Sequence, residues 1–263
     1  MIKVENIGYA VGKKKLLDGV SFQVQPGEFL AIIGANGAGK STLLKLLCKE
    51  LNTSTGAIHI RNQPISTYKI EAMAKFRAVL AQQTTLSMAF QVDELVMMGR
   101  YPHFDTRPSV KDWEIVEKAM QETGISALRD RAYQTLSGGE QQRVQLARAL
   151  AQIYDQPGGL LFLDEPTNGL DMLYQQQIMQ LSRNLANRGF CVISILHDIN
   201  FASRYADKVL ILKQGKIVSF GPPREVITCE HIHTAFNIRV RLLDDEEFRC
   251  PLVIPTMNIT NQH

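Results

Sequence analysis

Gly34-Ala35-Asn36-Gly37-Ala38-Gly39-Lys40-Ser41-Thr42 is the stretch whose reading decides the fold. It satisfies the spacing G-x-x-x-x-G-K-[ST] and carries a third glycine inside it. Ahead of it, Glu28-Phe29-Leu30-Ala31-Ile32-Ile33 predicts a buried strand; behind it, Ser41 to Cys48 predicts a helix. Strand, Gly-rich turn and helix form the context in which this pattern binds phosphate. The glycines let backbone N–H groups approach a ligand closely, and the helix start adds partial positive charge toward the same point. Lys40 supplies a mobile charge for the outer phosphates, and the Ser41 hydroxyl is suited to Mg²⁺.

Three further strands end in polar side chains, and ligands of parallel sheets gather at such carboxyl ends. Leu160-Leu161-Phe162-Leu163-Asp164-Glu165 finishes on two carboxylates before Pro166. Beside a phosphate loop, Asp164 is placed to hold Mg²⁺ and Glu165 to take a proton from water; a solvated strand end is the simpler alternative. Cys191 to Leu196 ends at His197-Asp198. A histidine there contacts a terminal phosphate or orients water, or else serves structure alone. Arg77 to Ala81 ends at Gln82-Gln83, where a glutamine either touches a metal ion and its waters or caps the strand. Tyr9, in an early strand before a Gly-Lys turn, either stacks on a base or covers the sheet.

Outward from these, residues 2–25 alternate as antiparallel strands, with Val20, Phe22 and Val24 on one face. From Thr84 to about Asp155 the strand signal disappears, and Val92–Gly99, Val110–Gly124 and Gln141–Tyr154 predict helices. Leu136-Ser137-Gly138-Gly139-Glu140 opens the last of them. Ser137 and Glu140 fit a capping box, yet two consecutive glycines weaken a helix and instead offer bare N–H groups to a phosphate. Gln214-Gly215 between two apolar runs predicts a hairpin, and the tail after Gly221-Pro222-Pro223 reads as mixed and polar. Cys229, His231 and His233 lack a fourth ligand for a metal site.

The 263 residues are 45% hydrophobic and 21% charged, ordinary for a globular chain. No nucleic acid is expected: a net charge of +3 is too weak and too evenly spread to argue for it, and the one basic run, Lys13-Lys14-Lys15, reads as a solvated turn. Four scattered cysteines suit a reducing compartment, and no apolar run approaches the length of a membrane span.

In this order, over about residues 1–225, the stretches resemble the ATP-binding subunits of ABC transporters. Gly34–Thr42 is similar to that family's Walker A loop, Leu160–Glu165 to its Walker B strand, and Leu136–Glu140 matches its signature LSGGE without a change. Gln82, Asp171, His197 and Tyr9 fall at its Q-loop, D-loop, H-loop and adenine-stacking aromatic. The resemblance implies an α/β fold: a P-loop NTPase core with an antiparallel β subdomain and an inserted helical subdomain. The expected division is a core of residues 1–83 and 156–225, a helical subdomain of 84–155 and an extension of 226–263. It implies ATP and Mg²⁺, with Glu165, His197, Lys40 and Gln82 acting in hydrolysis and Ser41, Gln82 and Asp164 near the metal. Tyr9, Gly34, Asn36, Gly37, Gly39, Lys40, Ser41 and Thr42 would hold the nucleotide from one copy. Ser137, Gly138, Gly139 and Asp171 would approach it from a second, head-to-tail copy. One departure is Asn168-Gly169-Leu170-Asp171, where relatives often carry Ser-Ala-Leu-Asp.

Within the family, Gly99-Arg100-Tyr101-Pro102-His103 is similar to importers of iron chelates and cobalamin. Residues 77–82, 147–154 and Pro251–Pro255 are similar to the haem importers among them. That likeness implies a homodimer on the cytoplasmic face of the cell membrane and two transmembrane permease subunits, which the helical subdomain contacts. A periplasmic or surface haem-binding protein would complete the system. Ferric-siderophore or cobalamin cargo is the neighbouring alternative. A soluble ABC ATPase of DNA repair or translation would carry tandem cassettes or a long coiled-coil insertion; a P-loop kinase would leave LSGGE without a role.

Overall fold

A computed structural model describes residues 1–81, 90–244 and 250–256. The chain begins with β1 (Ile2–Val11) and β2 (Lys14–Val24), an antiparallel pair turned at Gly12-Lys13. Then come β3 (Phe29–Ile33), α1 (Lys40–Leu47), β4 (Thr55–Ile60), the short β5 (Gln63–Pro64), α2 (Ile70–Ala74) and β6 (Arg77–Leu80). Next, α3 (Val92–Met97), α4 (Val110–Glu122) and α5 (Gly138–Ile153) succeed one another with no named strand among the described residues of this stretch. The chain returns through β7 (Leu160–Asp164), α6 (Met172–Asn187), β8 (Cys191–Ile195), α7 (Ile199–Tyr205) and the hairpin β9 (Lys208–Lys213) and β10 (Lys216–Gly221).

The central sheet runs β10-β9-β3-β8-β7-β6, parallel except for β10, and a second sheet, β2-β1-β4-β5, is antiparallel. Parallel strands covered on both faces read as unbroken apolar runs, and β3 and β8 are buried at every residue. The period of two divides each strand between two cores. Phe29, Ala31 and Ile33 face the side of α5 and α6; Leu30 and Ile32 face α1 and the antiparallel sheet. On α1, Leu43, Leu44, Leu46 and Leu47 form the buried stripe, and the helix stops at Lys49, whose φ is +58°.

The tail is more ordered than a mixed, polar reading suggests. It forms α8 (Pro223–Val226), α9 (Cys229–Phe236) and a hairpin of β11 (Val240–Asp244) with β12 (Pro251–Pro255). Val253 enters the core, and its backbone exchanges two hydrogen bonds with the Asn200 amide on α7. Ser203 Oγ donates to the Pro251 carbonyl at 2.6 Å. In this hairpin Arg241 and Asp244 are exposed, whereas Pro251 and Val253 are buried. On α9, Cys229, His231 and His233 each face a backbone carbonyl.

Beyond α3 the chain tightens into a 3₁₀ stretch, Met98–His103, ahead of Phe104. It is pinned by Arg100, which is 2% exposed and bonds Asp112 on α4, Asp155 after α5 and the Ala151 carbonyl. Burial alone would raise the Asp155 carboxyl, but hydrogen bonds from Lys111 and Arg100 outweigh it and hold it far below the usual range. Arg100→Ala would remove the guanidinium that joins a buried and a half-buried carboxylate, leaving Asp155 paired with Lys111 and Asp112 bonded to Ser109. The expected cost is about 3–5 kcal/mol of stability, read as a lowered urea midpoint; a midpoint unchanged from the parent would refute this role.

Candidate nucleotide site

The register of the central sheet sets the site. Ile32 and Asp164 both pair with Ile195, so the ends of β3, β7 and β8 lie side by side at one edge. The segments leaving these ends are therefore brought together: the phosphate loop after β3, Asp164-Glu165 at the end of β7, and His197 after β8. Asp198 fixes the last of these by capping α7, its Oδ1 accepting from Asn200 N at 2.7 Å and Phe201 N at 3.3 Å.

The loop turns through Gly34, Gly37 and Gly39 with φ of +154°, +77° and +106°. Ala35, Asn36, Gly37 and Ser41 are exposed and Thr42 is half-buried. The N-terminus of α1 has no side-chain cap and no acidic residue in its first turn, so its donors remain directed at the loop. Lys40 is 6% exposed and folds back to donate to Gly34 O at 2.8 Å and Ala35 O at 3.2 Å. Burial lowers its pKa, and the charges of Glu165 and Asp164 oppose that shift. Phosphate oxygens can replace the two carbonyls without moving the Lys40 backbone.

Asp164 Oδ1 is buried without a hydrogen-bond partner. Burial first, and then the Glu165 charge, raise its pKa. A buried, unpaired carboxylate oxygen is costly in an apolar setting and is the donor a hard divalent cation takes. Asp164 thus suits a hard divalent cation such as Mg²⁺. Glu165 lies one residue beyond the strand, with φ +53°. That left-handed backbone turns its side chain out of the strand's alternation. Glu165 Oε1 meets His197 Nε2 at 2.6 Å, and Asn168 Nδ2 reaches the other oxygen at 3.5 Å.

Tyr9 is half-buried against the core and pairs in register with Leu17, whose side chain touches the Gly39 position. Gln82 lies outside the described residues. Ser137 caps α5 and forms the full capping box with Glu140, with Glu140 Oε2 accepting from the Ser137 amide at 2.8 Å. Ser137 and Gly138 are nevertheless exposed, and a Cβ on Gly138 would meet nothing within 4 Å. Asp171 caps α6, and the same loop brings Leu170 Cδ2 to 3.2 Å from the Gly139 Cβ position. The residues therefore form two groups. Lys40, Asp164, Glu165 and His197 make an inner cluster; Ser137–Gly139 and Leu170–Asp171 make an outward face. Sequence reasoning missed the side chains between them. Gln142 Nε2 donates to Pro166 O, and Gln175 Nε2 donates to Thr167 O and Leu170 O. A glutamine that bonds a distant carbonyl carries no periodic signal.

A Cβ on Gly39 would lie 2.8 Å from Leu16 O, at a φ that L side chains rarely adopt. Gly39→Ala should therefore weaken nucleotide binding more than tenfold and lower the melting temperature, both read with a fluorescent ATP analogue and a thermal melt. Binding within twofold of the parent would contradict this crowding.

Residues 17–168 match the ABC transporter family. The hemin import ATP-binding protein HmuV of Gloeobacter violaceus is 43% identical over 258 residues, covering 97% of this chain and 94% of its own. Its namesake in Pseudomonas aeruginosa is 41% identical over 255 residues, covering 97% and 99%. A solved metal-chelate type ABC transporter in an inward-facing conformation superposes with TM-score 0.83 at 27% identity, covering 97% of both chains. A dimeric ATP-binding cassette bound to ADP and phosphate gives TM-score 0.74 at 25% identity, covering 84% of this chain and 98% of the other. With its phosphate loop and acidic strand end at one sheet edge and its LSGGE helix start exposed, this chain belongs to the ABC transporter family.

Proposed function

We propose that this chain is the ATP-hydrolysing subunit of a haem importer, acting as a homodimer on the cytoplasmic face of a membrane beneath two permease subunits. The observation that carries the catalytic part is the inner cluster: a glutamate and histidine in contact, beside an unpaired aspartate oxygen and a buried phosphate-loop lysine. The relatives named for hemin import, 37–43% identical over nearly the whole chain, support the cargo. The metal-chelate transporter, at 27% identity, leaves ferric siderophores as the second reading.

In this reading Tyr9 stacks on the base, and the amides of Gly34, Asn36, Gly37 and Gly39 hold the phosphates with Lys40, Ser41 and Thr42. Asp164, Ser41 and Gln82 would hold Mg²⁺, which screens the charge of the outer phosphates. Glu165 accepts the proton of the attacking water while His197 holds the carboxylate and faces the γ-phosphate. The exposed start of α5 gives Ser137, Gly138 and Gly139 to the partner copy's nucleotide, and Asp171 lies beside them. Residues 84–155 form the arm toward the permease. Its groove of about 810 Å³, lined by Phe90, Met97, Met98, Tyr101, Phe104 and Trp113, suits an amphipathic helix. Among the described residues no helix is long and apolar enough to cross a membrane, in keeping with a peripheral subunit.

Glu165→Gln should reduce hydrolysis by about 10²–10⁴ while ATP binding persists, and the variant should accumulate as an ATP-bound dimer in gel filtration. Near-normal turnover would remove Glu165 from the mechanism; a monomer at saturating ATP would remove the sandwich.

The cargo is tested in the assembled importer. Haem-loaded binding protein should stimulate ATP turnover of the permease complex severalfold, and the isolated subunit should show no axially ligated haem spectrum, since its six histidines are scattered along the chain and no Cys-x-x-Cys-His attachment site occurs. Stimulation by a siderophore-loaded protein alone would replace haem as the cargo.

A further inference from the structure

We propose that Gln142 is a positioning residue for Glu165, tying the exposed start of α5 to the segment that aims the catalytic carboxylate. The proposal rests on the assignment of Glu165 as the base. Gln142 lies in the second turn of α5, five residues after Ser137, and its Nε2 donates to the Pro166 carbonyl at 2.5 Å. Pro166 comes directly after Glu165 and has no N–H, so its carbonyl is its one backbone hydrogen-bonding group. Glu165 holds a left-handed backbone, φ +53°, which a non-glycine residue keeps only where its surroundings impose it. Those surroundings are visible. Asn168 N donates to Glu165 O at 3.1 Å, and Gln175 on α6 clamps Thr167 O and Leu170 O. Gln142 supplies the corresponding anchor from α5.

The two ends of this link serve different nucleotides. In the proposed dimer, Ser137 and Gly138 face the partner's ATP, whereas Glu165 serves the ATP held by its own chain. Gln142 therefore couples the seating of α5 on one nucleotide to the aim of the base at the other. When α5 is displaced, the Pro166 carbonyl loses its donor, and the Glu165 turn loses its anchor on α5 while those from Asn168 and Gln175 remain.

The test uses the full-length subunit, with ATP turnover measured against ATP and protein concentration. Gln142→Met keeps the length and removes the donor; Gln142→Lys keeps a donor. Gln142→Met should lower kcat roughly ten- to hundredfold, the scale of a misaimed catalytic group, with KM for ATP within about twofold. Gln142→Lys should recover part of the loss. In a Glu165→Gln background, Gln142→Met should cost nothing further, because it acts through that carboxylate. Should Gln142→Met fail to fold in a thermal melt, Gln142→Glu, of equal length and without a donor when ionised, gives the same reading. An unchanged kcat overturns the proposal. So does a loss that appears as a raised KM or a steeper dependence on protein concentration, or one that multiplies with Glu165→Gln. If Glu165→Gln itself hydrolyses normally, the assignment of the base fails together with the proposal; if Glu165→Gln is inactive and Gln142→Met is not, Gln142 alone is refuted.

Discussion

The site depends on how closely three stretches of backbone approach one another around the phosphate loop. A Cβ on Gly34 would lie 2.3 Å from Leu212 O, and one on Gly215 would lie 2.5 Å from Leu16 O. Neither distance leaves room for a side chain. The segments are also hydrogen-bonded: Gly215 N donates to Ala38 O at 2.9 Å, and Asp18 N donates to Gly215 O at 2.9 Å. The loop is thus clamped between the end of the β9–β10 hairpin and the bend of β2. Rigidity of this kind keeps amide groups aimed at a ligand position before any ligand arrives, which is where electrostatic stabilisation gains its strength.

The charges collected at this edge are held in an uneasy state. Burial works against the ammonium of Lys40 and the carboxylate of Asp164, and each is stabilised in part by the other. Lys40 meets the deficit by bonding carbonyls of its own loop, whereas Asp164 Oδ1 has no partner. In the proposed site a polyphosphate with a divalent cation would supply what both lack. In low-dielectric surroundings that complementarity counts for more than it would in water.

The outward group obeys a different logic. Ser137 and Gly138 are exposed, as are Met172 and Leu173, at 78% and 63%, just after Asp171. Large exposed apolar side chains beside bare helix-start amides suit a surface that a second copy covers. Among the described residues the cargo leaves no comparable mark. In the proposed assembly its recognition belongs to partners, and this chain presents the groove of its helical arm to the permease.

Much of this was legible in the residues. The phosphate loop, the acidic strand end and the LSGGE start each combine local propensity with a fixed spacing, and short-range patterns of that kind do not depend on packing. The unbroken apolar runs of β3, β7 and β8 likewise announce a parallel sheet buried on both faces. Neither spacing nor pattern contained the partners. That Asp164 stands level with Ile195 and Ile32, that Glu165 leaves its strand through a left-handed residue to meet His197, and that Arg100 binds two distant aspartates are outcomes of register and chain return. The tail shows the same limit: its two short apolar runs carry no strict alternation to declare a hairpin, and α7 decides their place by offering Asn200 and Ser203 to β12. The sequence by itself determined which residues could do phosphate chemistry and the elements that carry them. Only the tertiary structure decided which of them touch, because contacts between residues far apart in the chain are chosen by packing and hydrogen-bond satisfaction, and no local pattern encodes those.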